Sequence, residues 1–373
     1  MTGKVKSADS KLTIPLVKVA MPPRDELMPA LESVLYGGVI AEGKEVYEFE
    51  AAFAEHFGLR NALGMSSGTA ALHVAMLLAG VRPGDEVIST SMTAEPTNTT
   101  ILHVGAVPIF ADVDPFTGNL DSASVEASIG PKTRAICVVH YAGYPASLSE
   151  LRSIADRHGL VLIEDCAHAL GASYRNQPIG TVGDFSIFSF QAIKHMTTVD
   201  GGVLTMRDAD LLPDARRLRW FGLTKGAVRT DVDISVAGFK YNMNNVAAAI
   251  GLKQLNHVDS ILQRHISNGT YYDKSFAGIS GMMPASLVEG SRPSYWIYTL
   301  LADAPDDVQK CLAAAGVASS KLHRPNHLHS VFRDYRRPLP NLESFYKRLI
   351  HIPCGWWVSD SDRELIIEAL AKG

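Results

Sequence analysis

Between Asn61 and Met206 the chain alternates short Val/Ile-rich runs with turns and helical stretches, and that alternation leaves few folds open. Asn61–Met65, Glu86–Ser89, Pro108–Val113, Ala135–His140, Leu160–Ile163, Phe185–Phe190 and Val203–Met206 read as strands. Short strands alternating with helices build a mostly parallel α/β sheet covered on both faces. Helices are expected over Arg24–Tyr36, Lys44–Phe57, Ala70–Ala79 and Leu148–His158, with Val46, Phe49, Phe53 and Phe57 as one buried stripe. The pattern divides the chain into a loose N-terminal arm (1–29), a large domain (30–245) and a smaller C-terminal domain (246–373). A helix over Asn245–Leu262 leads into the last of these, with a strand at Ser294–Leu301 and helices at Val308–Ala315 and Ser359–Ala371.

Composition narrows the function. With 373 residues, 46% hydrophobic, 20% charged and a net charge of −4, the chain has no basic excess for nucleic acid or an anionic membrane. No apolar run is long enough to span a bilayer, and the N-terminus lacks the apolar core of a secretory signal. Cys137, Cys166, Cys311 and Cys354 are scattered without a Cys-x-x-Cys pair, which fits a reduced, cytoplasmic setting.

Three segments of the large domain carry chemistry. In Asp184–Gly202, a buried strand passes through Lys194 into Thr197, Thr198 and Gly201–Gly202. Desolvation there lowers the pKa of an amine and makes it nucleophilic, which suits Schiff-base chemistry with pyridoxal 5'-phosphate (PLP). The plain alternative is a loop lysine. Ser66–Thr69 opens a helix after a strand, so its amides and hydroxyls suit a phosphate, although helix capping explains the same residues. It matches neither a Walker A loop nor a Gly-x-Gly-x-x-Gly fingerprint. Glu164 and Asp165 end an apolar strand where ligands bind in parallel sheets, and only one of two adjacent side chains faces a ligand. Asp165 is the expected one, able to keep a pyridine nitrogen protonated, with His168 near the ring; a helix cap and a core histidine are the alternatives.

Phosphate cradle, strand-end aspartate and post-strand lysine, in that order, are the three points that hold PLP. SSGTAALHVA, GAVPIFADVD, VLIEDCAHALGASY, GDFSIFSFQAIKHMTTVDGG and GFKYNMNNVAAAIGLKQL resemble the DegT/DnrJ/StrS family of PLP-dependent sugar aminotransferases, closely over about Val39–Leu255. The resemblance implies a fold-type-I PLP-dependent transferase with a mostly parallel seven-stranded sheet and a smaller C-terminal α+β domain. It implies that Lys194 is the catalytic Schiff-base residue and proton shuttle, that Asp165 pairs with the pyridine nitrogen, and that His168 lies near the ring oxygen. Ser67, Gly68, Thr69 and Ser189 would hold the phosphate. The segment Gly238–Asn242, with Lys240, would reach it from the other subunit of a homodimer with a shared active site. The implied partners are an amino-acid donor, with L-glutamate expected, and a keto-sugar substrate, commonly a nucleotide-linked 4-keto-6-deoxyhexose.

Two departures from the family pattern stand out: Ala94 where many relatives carry a ring-stacking Phe or Tyr, and Lys240 where many carry Asn. A histidine in place of the lysine marks the family's sugar dehydratases; here Lys194 is present with His195 beside it. A dehydratase or cyclitol aminotransferase, and a non-catalytic regulator on the same fold, are the competing functions. His195, His323 and Asn326 are expected to face substrate. His323, His327 and His329 have a metal-like spacing but no carboxylate or cysteine beside them, so no metal is expected. Arg216, Arg217 and Arg219 suit bidentate contact with a diphosphate, although a solvated helix face explains at least two of them. Trp296 is expected to pack inside the small domain.

Overall fold

The computed structural model describes residues 13–371. Its centre is a seven-stranded sheet. Across the sheet the strands run Leu63–Met65, Gly202–Met206, Phe185–Ser189, Val161–Asp165, Thr133–Val139, Glu86–Thr90 and Val107–Ala111. Each strand expected for this sheet is present, with ends displaced by no more than two residues. Gly202–Met206 alone is antiparallel to its two neighbours; the other six run the same way.

The alternation of side chains explains why these strands are apolar throughout. In Thr133–Val139, Ile136 and Val138 join one buried cluster, while Ala135 and Cys137 join the cluster on the opposite face. The first cluster takes in helices Lys44–Phe57, Leu148–His158 and Asn245–Leu255; the second is built on helix Gly68–Leu78. Both faces are therefore dry, as a parallel sheet requires. Phe190 packs edge-on against Phe49 and Phe53, at 5.6 and 5.3 Å between ring centroids. Those contacts fix the chain at the point where it leaves the sheet toward Lys194.

A third cluster unites the antiparallel sheet Met282–Pro284, Tyr298–Ala302 and Leu349–Ile352 with helix Pro340–Arg348, with Phe110 of the large-sheet strand Val107–Ala111 and with Tyr141 of the turn after Thr133–Val139. The expected helix over Asn245–Leu262 is two helices, Asn245–Leu255 and Val258–Phe276. Asn256 caps the first, and His257, paired with Glu26, lies in the break. Of the expected loose arm, residues 1–12 lie outside the described residues. The described part is tied down: Ile14 is buried and pairs with Val317, and Gln254 donates to Ala20 O. No helix among the described residues is long and apolar enough to cross a membrane.

Candidate active site

The C-terminal ends of Val161–Asp165 and Phe185–Ser189 open into a cavity of about 310 Å³. Ser67, Gly68, Thr69, Thr97, Asp165, His168, Ser189, Lys194, Trp296 and His323 line it.

Glu164 and Asp165 face opposite sides, as adjacent strand residues must. Glu164 points away from the cavity. It accepts the Gly180, Val182 and Gly183 amides and meets His140 Nε2 at 3.1 Å. Burial works to raise its pKa, yet His140 and the amides hold it below the usual carboxylate value. Cys166 adds a thiol to this group in a metal-like cluster of three, but Glu164 is already met by hydrogen bonds. Asp165 points into the cavity. Thr97 Oγ1 donates to it at 2.7 Å and the Ala167 amide at 3.1 Å, and Thr93 Oγ1 lies 2.9 Å from Thr97 Oγ1. Burial raises its pKa against these donors and the Lys194 charge.

Lys194 opens partly onto the cavity. Loss of water lowers its amine from 10.5 to about 7, opposed by the attraction of Asp165. Its Nζ lies 3.9 Å from the centroid of the Trp296 ring. His168 stacks on the same ring at 4.1 Å and 20°. Burial, then the nearby Lys194 charge, push His168 well below 6.5. Its Nδ1 accepts the Ala142 amide at 3.4 Å, which assigns the remaining proton to Nε2. His323 lies parallel to His168 at 5.7 Å, is held near 4 by burial, and has a buried Nε2 without a hydrogen-bond partner.

At the other end, Ser67 caps helix Gly68–Leu78 by accepting the Ala70 amide. The Gly68 and Thr69 amides lie in the first helical turn and have no partner within the helix. A Cβ on Gly202 would come within 2.6 Å of Gly68 N, and one on Gly68 within 2.9 Å of Ser189 Cβ. Backbone alone fits there, as a phosphate cradle demands. Cradle, carboxylate, enclosed amine and unpartnered imidazole are a donor set that fits PLP.

Some expected site residues lie elsewhere. His195 is buried with Nε2 on Ser294 O, edge-on to His265, and does not line the cavity. Asn326 is fully buried; it accepts from Asn98 and donates to Thr93 O, so it braces the loop carrying Thr93 and Thr97. His327 joins that brace through Ser91, while His329 approaches Glu95 at 3.6 Å. The three histidines therefore do not converge on a metal site. Lys240 is exposed, 4.0 Å from the Trp220 ring centroid, outside its own chain's cavity. Arg219 is buried between Glu42 and Glu50, so it is no surface phosphate ligand. Trp296 and Thr97 are the cavity residues that sequence reasoning missed. A Tyr-Trp pair ahead of a strand looks like packing, although the spacing of Thr93 and Thr97 by four could have flagged the hydroxyls.

Together, the sheet with one reversed strand and the cavity at its strand ends define a fold-type-I PLP-dependent transferase. The chain belongs to the DegT/DnrJ/EryC1/StrS aminotransferase family, whose model matches residues 23–371. It is 32% identical over 365 residues to the spore coat polysaccharide biosynthesis protein SpsC of Bacillus subtilis (strain 168), covering 93% of this chain and 94% of SpsC. The crystal structure of the sugar aminotransferase CalS13 from Micromonospora echinospora superposes with a TM-score of 0.93 at 39% identity, over 96% of this chain and all of that one. The PLP form of Spr1654 from Streptococcus pneumoniae gives 0.88 at 28% identity, over 95% and 98%. The chain is thus a PLP-dependent aminotransferase of a family of sugar aminotransferases.

Proposed function

We propose that the chain transfers an amino group from an amino acid, L-glutamate in the first instance, to a nucleotide-linked 4-keto-6-deoxyhexose, as a homodimer with shared active sites. The observation that carries this reading is the enclosed Lys194 amine, held near neutrality beside Asp165 in one cavity. At pH 7 such an amine both takes and gives a proton, as a transaminase needs in its two half-reactions. PLP bound here supplies an electron sink that makes the donor's α-proton labile. With PLP bound, Asp165 would hold the ring nitrogen, His168 would offer its Nε2–H to the ring oxygen, and Ser67, Gly68, Thr69 and Ser189 would hold the phosphate. His323 offers a neutral imidazole to a sugar hydroxyl.

Dimerisation is supported by apolar side chains left exposed at Tyr36, Val39, Ile40, Phe221, Val228 and Ile234. A second copy would cover such surface and bring Lys240 toward the neighbouring phosphate cradle. His195 and Asn326 serve in this reading as supports of the site.

The test is to supply the PLP-loaded protein with L-[15N]glutamate and a nucleotide-linked 4-keto-6-deoxyhexose, and to weigh the sugar product. A product carrying the label is expected. A sugar that loses a hydroxyl without gaining nitrogen would place the chain among the dehydratases instead. Thr97→Val removes a charge-assisted donor to Asp165 and should weaken PLP binding about tenfold, read by titration of the cofactor-free protein. Thr97→Ser should restore it.

A further inference from the structure

One ring touches both the Lys194 amine and the backbone just before that residue. The face of Trp296 meets the amine, and its Nε1–H donates at 2.8 Å to Ile193 O, the carbonyl just before the lysine. The ring cannot drift: it is 2% exposed and stacked on His168. The backbone is bent to put it there. Tyr295 has φ +46°, a left-handed conformation that is costly for an aromatic residue. Ser294 N donates to Gly143 O on one side of the bend, and Tyr295 OH is sent to Asp273. Strain held in place by its surroundings gathers at functional sites.

We propose that Trp296 is a positioning residue for the catalytic amine: its face receives the Lys194 ammonium whenever that amine is not bonded to the cofactor, and keeps it aimed for the next proton transfer. The proposal rests on the reading of Lys194 as the proton carrier. An ammonium away from water is attracted to the negative face of an indole, and Asp165 acts on this one only through its charge. A lysine has a flexible four-carbon stem, so a freed amine without such a platform would sample the whole cavity. The indole does not titrate near neutrality and so does not compete for the proton.

The test labels Lys194 in the cofactor-free protein with acetic anhydride across a pH series and counts modification by mass spectrometry. Loss of the ring face in Trp296→Leu should lower the half-point of labelling by about one pH unit. Trp296→Phe, which keeps a face but has no N–H, should stay within a few tenths of the wild type. In the PLP-loaded enzyme, Trp296→Leu should lose about tenfold in kcat at unchanged KM for the amino donor, and Trp296→Phe should recover most of it. Replacing tryptophan with 5,7-difluorotryptophan keeps shape and N–H while weakening the negative face, so the half-point should fall even where the Leu variant does not fold. A half-point unmoved in both the Leu and the fluorinated protein would overturn the proposal. So would a Phe variant displaced as far as Leu, which would leave the tether to Ile193 O as the operative contact. Failure of the underlying reading looks different: turnover would survive in Lys194→Ala, whatever Trp296 does.

Discussion

Lys194→Ala will cost transamination at least about 10⁴-fold while leaving a folded protein. In the proposed mechanism the variant loses both the covalent partner of the cofactor and the group that carries the proton in each half-reaction. The phosphate cradle and Asp165 remain, so PLP should still bind, but without the absorption of a lysine-bound cofactor. Turnover and the visible spectrum, measured on the same preparation, check both halves. Full turnover in the variant would sink the mechanism.

The same substitution tests the electrostatics. In the cofactor-free protein the Lys194 pKa is about 7, against 10.5 for a lysine in water, because the amine loses solvent. The folded state then holds fewer protons than the unfolded state between those values, so stability rises with pH across that window. The penalty is complete below pH 7 and gone above the unfolded pKa. It amounts to no more than about 4 kcal/mol, since the side chain keeps some contact with water in the cavity. Denaturant melts at pH 7 and pH 10 should therefore show a gain in the wild type that Lys194→Ala lacks. A variant with the same pH slope as the wild type would mean that the amine is well solvated.

Arg219→Ala is expected to cost stability far more than any other single change among the three arginines of its helix. Arg219 gives Nη1 to Glu50 at 2.7 Å and to Gly64 O, and Nη2 to Glu42 at 2.8 Å. Removing it leaves two buried carboxylates without their shared cation, a loss of about 3–5 kcal/mol. That corresponds to a fall in Tm of roughly 4–6 °C. Arg216→Ala, on the exposed face of the same helix, should stay within about 0.5 kcal/mol. A thermal melt separates the two. A raised KM for a nucleotide-linked substrate with Tm unchanged in Arg219→Ala would restore the phosphate-contact reading.

The strands were legible because burial on both faces writes itself as uninterrupted apolar runs, and Phe185–Ser189 is found almost where periodicity puts it. The three-point arrangement of cradle, aspartate and lysine was legible because each point sits at the end of such a run. Direction was not: nothing in Gly202–Met206 distinguishes a reversed strand from a parallel one. Contacts between residues distant in sequence were equally hidden. Asn326 looks like a substrate residue in a polar loop until it is seen bracing Thr93, 233 positions away. Trp296 reaches the cavity through the positive φ of Tyr295, a conformation that the residue type does not announce. Arg219 reads as one of three helix arginines suited to a diphosphate or to solvent, and only the fold sets Glu42 and Glu50 around it.

The reversed strand has a further consequence. Because Ser189 stands opposite Gly202, and Phe190 N donates to Gly201 O, the lysine-bearing segment is closed at its base like a loop on a clasp. Its length is thereby fixed: one inserted residue would break the clasp or push Gly202 out of its close approach to Gly68. The segment holding His323 is anchored differently, by the Ser320–His351 bridge at one end and by Asn326 on Ser91 and Thr93 at the other. For a designer, or for natural variation, the lysine-bearing loop tolerates exchange of side chains but not of length.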